Sequence, residues 1–150
     1  MSKAIAVIVS IILPLGCIGI WACPAMGSES YLYTSPRNDR THNQAIVDKP
    51  DSALWWRYGK GYAIIDHTMS EAGEGLWDVS QIRIGDIATL TIEDKETMYV
   101  CVGTALCRIR NNDYAFKGKA YAPMAKGDIV CLSCAEEDGY VYAAYFEPMK

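Results

Sequence analysis

The 150-residue sequence lacks several features that would point directly to a function. It has no glycine-rich phosphate-binding loop, no internal repeat and no low-complexity stretch, so nothing in it indicates nucleotide binding or a repeat architecture. The formal net charge is −4 and the basic residues are scattered, which argues against a nucleic-acid-binding protein. Only two histidines, His42 and His67, are available as candidates for acid–base chemistry.

Charged residues are also absent from residues 4–22, which are rich in Ile, Val and Leu and long enough to cross a bilayer as a helix. Lys3 precedes this run and no basic residue follows before Arg37, so the positive-inside bias leaves the N-terminus in the cytoplasm and sends the rest outside. Residues 1–27 are therefore predicted to be a single-pass membrane anchor. The alternative is a signal peptide cleaved near Ala25 and Gly27, which would give a secreted protein.

The part of the chain beyond this run divides into two. Residues 28–43 are polar and are predicted to form a stalk or a loosely held first strand, in which His42 is best interpreted as a solvated histidine. Residues 44–150 contain short apolar pieces separated by turn signals, a spacing that favours strands over helices. These pieces are residues 45–47, 53–56, 62–65, 87–92, 97–102, 105–109, 129–133 and 140–146. Seven or eight strands, with one short helical turn near residues 76–79, predict an all-β closed barrel or sandwich.

The six cysteines raise the question of disulfides in an exported domain. Two of them belong to the predicted membrane segment or its edge. Cys101 and Cys107 could face each other across a hairpin with a three-residue loop. Cys131 is most simply a small apolar residue in a core strand, which leaves Cys134 without an obvious partner. An unpaired thiol in an exported protein is either intermolecular or reactive.

The spacing of Cys131 and Cys134 matches a CxxC motif, but the surrounding residues argue against a redox pair. Residues 126–128 signal a turn and residues 129–133 form an extended run, in which residues three apart point to opposite faces and lie about 10 Å apart. No helix start follows Cys134, as a thioredoxin-like motif requires. The other cysteines lack the spacing of a second CxxC, so no zinc site is predicted.

Cys134 is instead a candidate nucleophile, because a strand end fixes a side chain while the adjoining loop leaves it reachable. Histidine is the usual partner that activates such a thiol. His67 directly follows the strand predicted for residues 62–65, so Cys134 and His67 are predicted to form a catalytic dyad. The structural alternative is a core cysteine and a histidine that is hydrogen-bonded near a loop.

The residues around this pair resemble the sortase family of cysteine transpeptidases, from Gly61 to Phe146. The matching features are a strand ending in histidine (residues 63–67), an aromatic and aliphatic turn (76–79), a Gly-Asp strand start (84–86) and a leucine-containing strand ending in cysteine (128–134). Ser133 replaces the usual threonine, and Trp77 replaces the usual phenylalanine.

The resemblance implies an eight-stranded β-barrel with His67 and Cys134 at neighbouring strand ends, facing one substrate groove. It implies that Cys134 attacks a backbone carbonyl in the sorting signal of a surface protein and forms a thioester, while His67 protonates the departing amine. An amine such as a cell-wall cross-bridge would then resolve the thioester. No cofactor is implied, and a membrane anchor with the domain outside also suits this family.

One residue of the family pattern is missing. Sortases place an arginine on the strand after the cysteine to hold the oxyanion, and here no arginine follows Arg110. Tyr140, Tyr142, Ser133 and Arg110 are the candidate oxyanion or substrate contacts, and Arg108 could also reach in from another strand. A backbone amide could also take the place of the arginine. Loss of one oxyanion donor costs about 10²–10³ in rate, so the remaining alternative is a weak or inactive relative.

The competing interpretation is a non-catalytic exported β-barrel that binds a partner through exposed tyrosines and tryptophans. Trp55 and Trp56 would serve such a surface, although paired aromatics in a strand more often divide between core and rim. An exposed Cys134 near His67 favours the enzyme, whereas a buried Cys134 favours the binding domain. The signatures of L,D-transpeptidases, which also use an exported cysteine, are absent.

Overall fold

The computed structural model describes residues 16–34, 40–49, 51–66, 78–108, 125–135 and 139–150. Within them the chain forms eight strands, one α-helix and two short 3₁₀ turns. In chain order the elements are β1 (Cys17–Cys23), a 3₁₀ turn (Pro24–Met26), β2 (Ser28–Thr34), α1 (Arg40–Val47), β3 (Ser52–Tyr58), β4 (Gly61–Asp66), a 3₁₀ turn (Val79–Gln81), β5 (Ile87–Ile92), β6 (Lys95–Arg108), β7 (Ile129–Cys134) and β8 (Tyr140–Pro148).

The strands close into a barrel in the order β1-β2-β3-β4-β7-β8-β6-β5. The pairs β2–β3 and β4–β7 are parallel. The other neighbouring pairs are antiparallel. The prediction of an all-β closed barrel of about eight strands is confirmed. The barrel places the ends of β4 and β7, which carry the residues of interest, next to each other.

The barrel interior is packed around Trp21, which is fully buried. Its indole meets the ring of Phe146 edge-on at 5.1 Å and the ring of Tyr99 at 5.7 Å, both within the usual range for aromatic pairs. Other interior side chains include Leu32, Ile64, Ala88, Leu90, Ile129 and Cys131. Removing the side chain of a buried tryptophan such as Trp21 costs about 3–5 kcal/mol, so β1 is essential to the core.

A second apolar cluster covers the outer face of β3, β4, β7 and β8. It joins Ile46 and Val47 of α1 to Leu54, Val130 and Leu132, among others. Strands buried on both faces have continuous apolar sequences, whereas half-exposed strands alternate. The first five residues of β7 are all buried for this reason, and Cys134 is the first exposed residue of the strand.

The first strand corrects the C-terminal bound of the predicted membrane span. Residues 17–22, the C-terminal third of the predicted span, belong to β1, which pairs with β2 and β5 in the barrel. The predicted span extended too far because an apolar run has the same composition in a buried strand and in a helix. In the described residues no helix is long and apolar enough to cross a membrane. Residues 1–15 lie outside them.

The barrel also begins earlier than predicted. Residues 28–34, for which a stalk and a loosely held first strand were the two interpretations, form β2, which pairs with both β1 and β3. Residues 45–47, predicted as a strand, are the last turn of α1. A parallel pair such as β2–β3 needs a crossover connection, and α1 lies within it. His42 belongs to α1, but its side chain is outside the described part of the structure. A 3₁₀ turn occupies Val79–Gln81 and overlaps the helical turn predicted for residues 76–79 only at Val79. Trp77 is also outside the described residues.

The proposed hairpin disulfide is wrong, because Cys101 and Cys107 lie in the same strand, β6. Six residues of strand separate them by about 20 Å. The pairing of β6 with β8 shifts between Cys101 and Gly103, so Cys101 faces the interior while Cys107 joins the outer cluster. All six cysteines lie in the described residues, and none forms a disulfide.

Candidate active site

Cys134 is the last residue of β7 and is exposed. The strand begins at a tight turn, where the carboxylate of Asp128 accepts a hydrogen bond from the Ala125 N–H at 2.9 Å and Gly127 has a φ of 92°. A left-handed φ of this kind favours glycine. β7 then runs between β4 and β8 along its whole length. The predicted setting for Cys134, a reachable thiol at the end of a rigid strand, is confirmed.

The strands predicted to carry the dyad are neighbours that end at the same level. β4 and β7 pair in parallel from Tyr62 and Ile129 to Asp66 and Ser133. Cys134 directly follows Ser133, and His67 directly follows Asp66 in the sequence. His67 itself lies outside the described residues, so the dyad stays a prediction.

One face of the sheet at this end carries Cys134, Val141 and Cys107, which we call the outer row. Cys134 pairs with Val141 on β8, and Val141 pairs with Cys107 on β6. Val141 is 3% exposed and, like Cys107, belongs to the outer cluster together with Leu132. Paired residues in adjacent strands put their side chains on the same face, so the position directly across from the Cys134 thiol is filled by an apolar side chain.

The opposite face carries Asp66, Ser133 and Tyr142, the inner row. Ser133 pairs with Asp66 on one side and with Tyr142 on the other. Asp66 is 4% exposed and Ser133 is 1% exposed. Tyr142 packs against the interior cluster. Ser133 and Tyr142, both candidate oxyanion contacts, therefore lie on the face of the sheet that Cys134 does not share.

The remaining oxyanion candidates are divided between that face and the undescribed part of the chain. Tyr140 and Arg108 pair with each other across β8 and β6. Each is adjacent to an outer-row residue, so strand alternation points it the other way. Arg110 lies outside the described residues. Val141, the residue opposite the thiol, is not among the residues predicted from the sequence. The alternation along residues 140–146 carries that information only once the register with β7 is known.

Within the described residues, the electrostatic surroundings of Cys134 disfavour its thiolate form. Partial burial raises the pKa of the Cys134 thiol, and the nearby Asp66 carboxylate raises it further. Burial raises the pKa of Cys107 to about 11. Burial, together with the neighbouring Cys23 and Cys101, raises the pKa of Cys131 well above its usual value. A raised pKa lowers the population of the nucleophilic thiolate, so the buried thiols are inert and Cys134 needs a cationic partner. Within the described residues, no cluster of His, Cys, Asp or Glu could hold a metal ion.

The tryptophans named for the binding-domain alternative are largely covered. Trp55 is 6% exposed and stacks on Tyr62, with ring centroids 4.4 Å apart and an interplanar angle of 18°. Trp56 is half-buried on the outer face. These side chains pack β3 against β4 and leave little exposed aromatic surface for a binding partner.

The barrel is similar to solved sortase structures. No protein-family model and no curated protein sequence matches the chain. The chain aligns with Listeria monocytogenes sortase A at 17% identity and a TM-score of 0.65, covering 90% of this chain and 88% of that one. It aligns with Streptococcus pneumoniae sortase C at 13% identity and a TM-score of 0.67, covering 91% and 70%. It aligns with Clostridium perfringens sortase C, solved with a C-terminal cell wall sorting motif, at 15% identity and a TM-score of 0.65, covering 89% of this chain and 71% of that one. The chain has a sortase-like fold.

Proposed function

We propose that this protein is a sortase-like cysteine transpeptidase whose nucleophile is Cys134. The observation that carries the proposal is an exposed thiol at the end of β7, beside the end of β4, in a barrel with the sortase-like fold. A strand end in a rigid sheet gives the positional accuracy that nucleophilic attack requires. The cysteines on the buried parts of the strands do not meet this condition.

The chemistry follows from a thiol and a proton donor. Cys134 attacks the carbonyl carbon of the scissile amide, and the thiol proton is transferred to His67. The tetrahedral intermediate collapses to a thioester while His67 protonates the departing amine. An incoming primary amine then attacks the thioester, loses its proton to His67 and releases Cys134. Water in place of the amine gives hydrolysis instead of transpeptidation.

The residues behind Cys134 on the outer face are apolar and buried, so they fix the strand end that carries the thiol. Leu132 lies two residues back along β7, and Ala143 pairs with it on β8. Both belong to the outer cluster, and neither brings a charge to this face. We propose that the peptide is the sorting signal of a surface protein.

The oxyanion requires donors that the outer row does not supply. Val141 offers no hydrogen bond, and Tyr142 and Ser133 lie on the inner row. We assign the role to Arg110 or to backbone N–H groups near the end of β7. If only one donor serves, catalysis is about 10²–10³ slower than with a full oxyanion hole.

The location of the domain is part of the same proposal. A transpeptidase that joins surface proteins to a cell-wall amine must work outside the membrane, and residues 4–15 form an uncharged run that precedes the barrel. Protease treatment of intact cells should cut the barrel domain. Cleavage that requires lysis would place the domain inside.

The experiment is a transpeptidation assay with a panel of sorting-type peptides and an amine acceptor, read by mass spectrometry. The wild-type protein should give the cleaved peptide and the new amide, and Cys134→Ala and His67→Ala should give neither. Cys131→Ala is the matched control, because its thiol lies in the barrel interior three residues away, and it should keep its activity. Activity that survives in Cys134→Ala would remove the proposal. No product from any peptide, with the thiol intact, would favour a binding domain.

A further inference from the structure

The chain enters the barrel at the end opposite to Cys134. β1 starts at Cys17 and pairs antiparallel with β5, so its first residues lie near the turn between β5 and β6. β6 leaves that turn in the direction that β7 also takes, because both strands are antiparallel to β8. β7 ends at Cys134, on the far side of the barrel from the turn. We call the end with Cys17 and the β5–β6 turn the entry end, and the end with Cys134 the site end.

The start of β1 is packed closely against β5 at the entry end. A Cβ atom added at Gly19 would lie 2.5 Å from the carbonyl oxygen of Thr91 and 2.9 Å from Cγ1 of Ile92. Trp21, two residues further along β1, is fully buried in the barrel interior. Packing this close fixes the position of the strand. Whatever precedes β1 in the sequence therefore leaves the barrel at the entry end.

The residues that precede β1 are apolar and leave no room for a linker. Residues 4–15 carry no charge and are rich in Ile, Val and Leu, and β1 begins at Cys17. As a helix this run would be about 18 Å long, short of the roughly 30 Å of a bilayer core. An apolar run of about 10–14 residues suits a segment that lies in the membrane interface. Such a segment would hold the entry end directly against the lipid.

The described surface of the entry end suits contact with lipid headgroups. Each turn or chain segment at this end carries one lysine, and these are Lys60, Lys95, Lys126 and Lys150. Met98 and Met149 lie side by side on the same end, where the Met149 N–H donates to the Met98 carbonyl at 2.8 Å, and each is 46% exposed. Lysine ammonium groups reach lipid phosphates while apolar side chains enter the acyl boundary. Glu93 and Asp94 share the β5–β6 turn, so apolar burial contributes to the contact as well as charge.

We propose that the barrel stands on a phospholipid membrane by its entry end and holds Cys134 away from the lipid. β7 spans about 20 Å, or about 15 Å along the axis of a barrel whose strands tilt by about 40°. The thiol would then meet peptide segments that are held at least about 15 Å above the headgroups. This consequence for the substrate rests on the proposed function, whereas the orientation of the barrel does not.

Quenching by lipid-bound nitroxide tests the orientation without a peptide substrate. The full chain, with Cys17→Ser, is reconstituted into vesicles of phosphatidylcholine and phosphatidylglycerol, with or without a nitroxide on the headgroup. A fluorescent maleimide is attached to Cys134, or to Glu29→Cys, Lys60→Cys or Lys95→Cys in a Cys134→Ala background. Glu29 lies at the start of β2, at the site end, and is exposed. The nitroxide should quench the labels at positions 60 and 95 by more than about half and those at positions 29 and 134 by less than about a tenth, because of the expected difference in height.

Two variants show whether the apolar run makes the attachment. Val9→Asp combined with Ile12→Asp puts two charges into residues 4–15 without touching the barrel, so this protein should no longer float with vesicles in a density gradient. Val9→Ala combined with Ile12→Ala is the matched control without charge, and it should float as the wild-type chain does. Circular dichroism should be the same for all three proteins, since the barrel is unchanged.

Three results would overturn the proposal. They are a wild-type chain that does not float, stronger quenching at Cys134 than at Lys95→Cys, and equal quenching at all four positions, which would place the barrel on its side. The expected quenching pattern without transpeptidation from any peptide would remove only the proposed function. Transpeptidation by a chain that does not float would remove only this proposal.

Discussion

The outer row and the inner row occupy opposite faces of the same sheet at the end of β7 and differ in polarity. The outer row places Cys134 beside Val141 and Cys107, an apolar setting. The inner row has a carboxylate, a hydroxyl and a phenol. Ser133 and Tyr142, which were predicted as oxyanion contacts, thus lie on the face of the sheet opposite the thiol.

The largest contrast is expected between the two cysteines of β7. Cys134→Ala should lower transpeptidation by about 10³-fold or more, because the covalent intermediate needs the thiol. Cys131→Ala, on the interior face, should stay within about twofold of wild type at a temperature where it is folded. Initial rates of amide formation, with circular dichroism as the folding check, give both values. Equal losses in the two variants would mean that neither thiol is the nucleophile.

A smaller effect is expected when the outer row is given the polar group it lacks. Val141→Arg places a guanidinium opposite the thiol, where it both stabilises the thiolate and donates to the oxyanion. The rate should rise about tenfold at a temperature where circular dichroism shows the variant folded, because a charge at this 3% exposed position also costs stability. Val141→Met is the matched control without charge and should not raise the rate. Tyr142→Phe, on the inner row, should leave the rate within about twofold. A tenfold loss in Tyr142→Phe would place the phenol in contact with the substrate and contradict the division between the rows.

The smallest effect separates the two cysteines of the outer row by their contribution to stability. The pKa of Cys107 is about 11 in the folded protein, above its value in the unfolded chain, so the folded state binds this proton more tightly. That contribution is fully present below about pH 9 and is lost as the pH rises towards 11. Urea unfolding should show that the unfolding free energy falls between pH 8 and 11. The fall should be about 1–2 kcal/mol smaller in Cys107→Ala than in the wild-type protein. Cys134→Ala, at an exposed position, should change the fall less. The same fall in all three proteins would contradict the burial of Cys107.

The central strands of the barrel could be predicted from the sequence because their patterns are strong. β5 was predicted at its observed bounds from strict alternation, and β7 from a turn followed by an apolar run. Residues 17–23 were misassigned because their apolar run is part of a longer uncharged stretch, and only pairing with β2 and β5 distinguishes a strand. Residues 45–47 were misassigned because α1 has its apolar residues at one end only.

The position of the candidate site could be predicted from the sequence, but the side chains that share a face of the sheet with Cys134 could not. A turn before β7 and a loop after it locate Cys134 at a strand end. Which neighbour shares its face depends on the register of β8, and a shift of one residue would exchange Val141 for Tyr142. The bulge in β6 between Cys101 and Gly103 has the same effect on Cys107. Neither register can be derived from the local spacing of residues. For this reason Tyr142 was predicted as an oxyanion contact and Val141 was not considered.

The most direct test is the site of acylation. The protein is incubated with a sorting-type peptide without an amine acceptor, quenched in acid and digested, and the adduct is located by mass spectrometry. We expect the peptide fragment on Cys134, bound as a thioester that hydroxylamine releases, and no adduct on Cys131 or Cys107. An adduct on another residue, or none on Cys134 across the panel although iodoacetamide alkylates it, would contradict the assignment of Cys134 as the nucleophile.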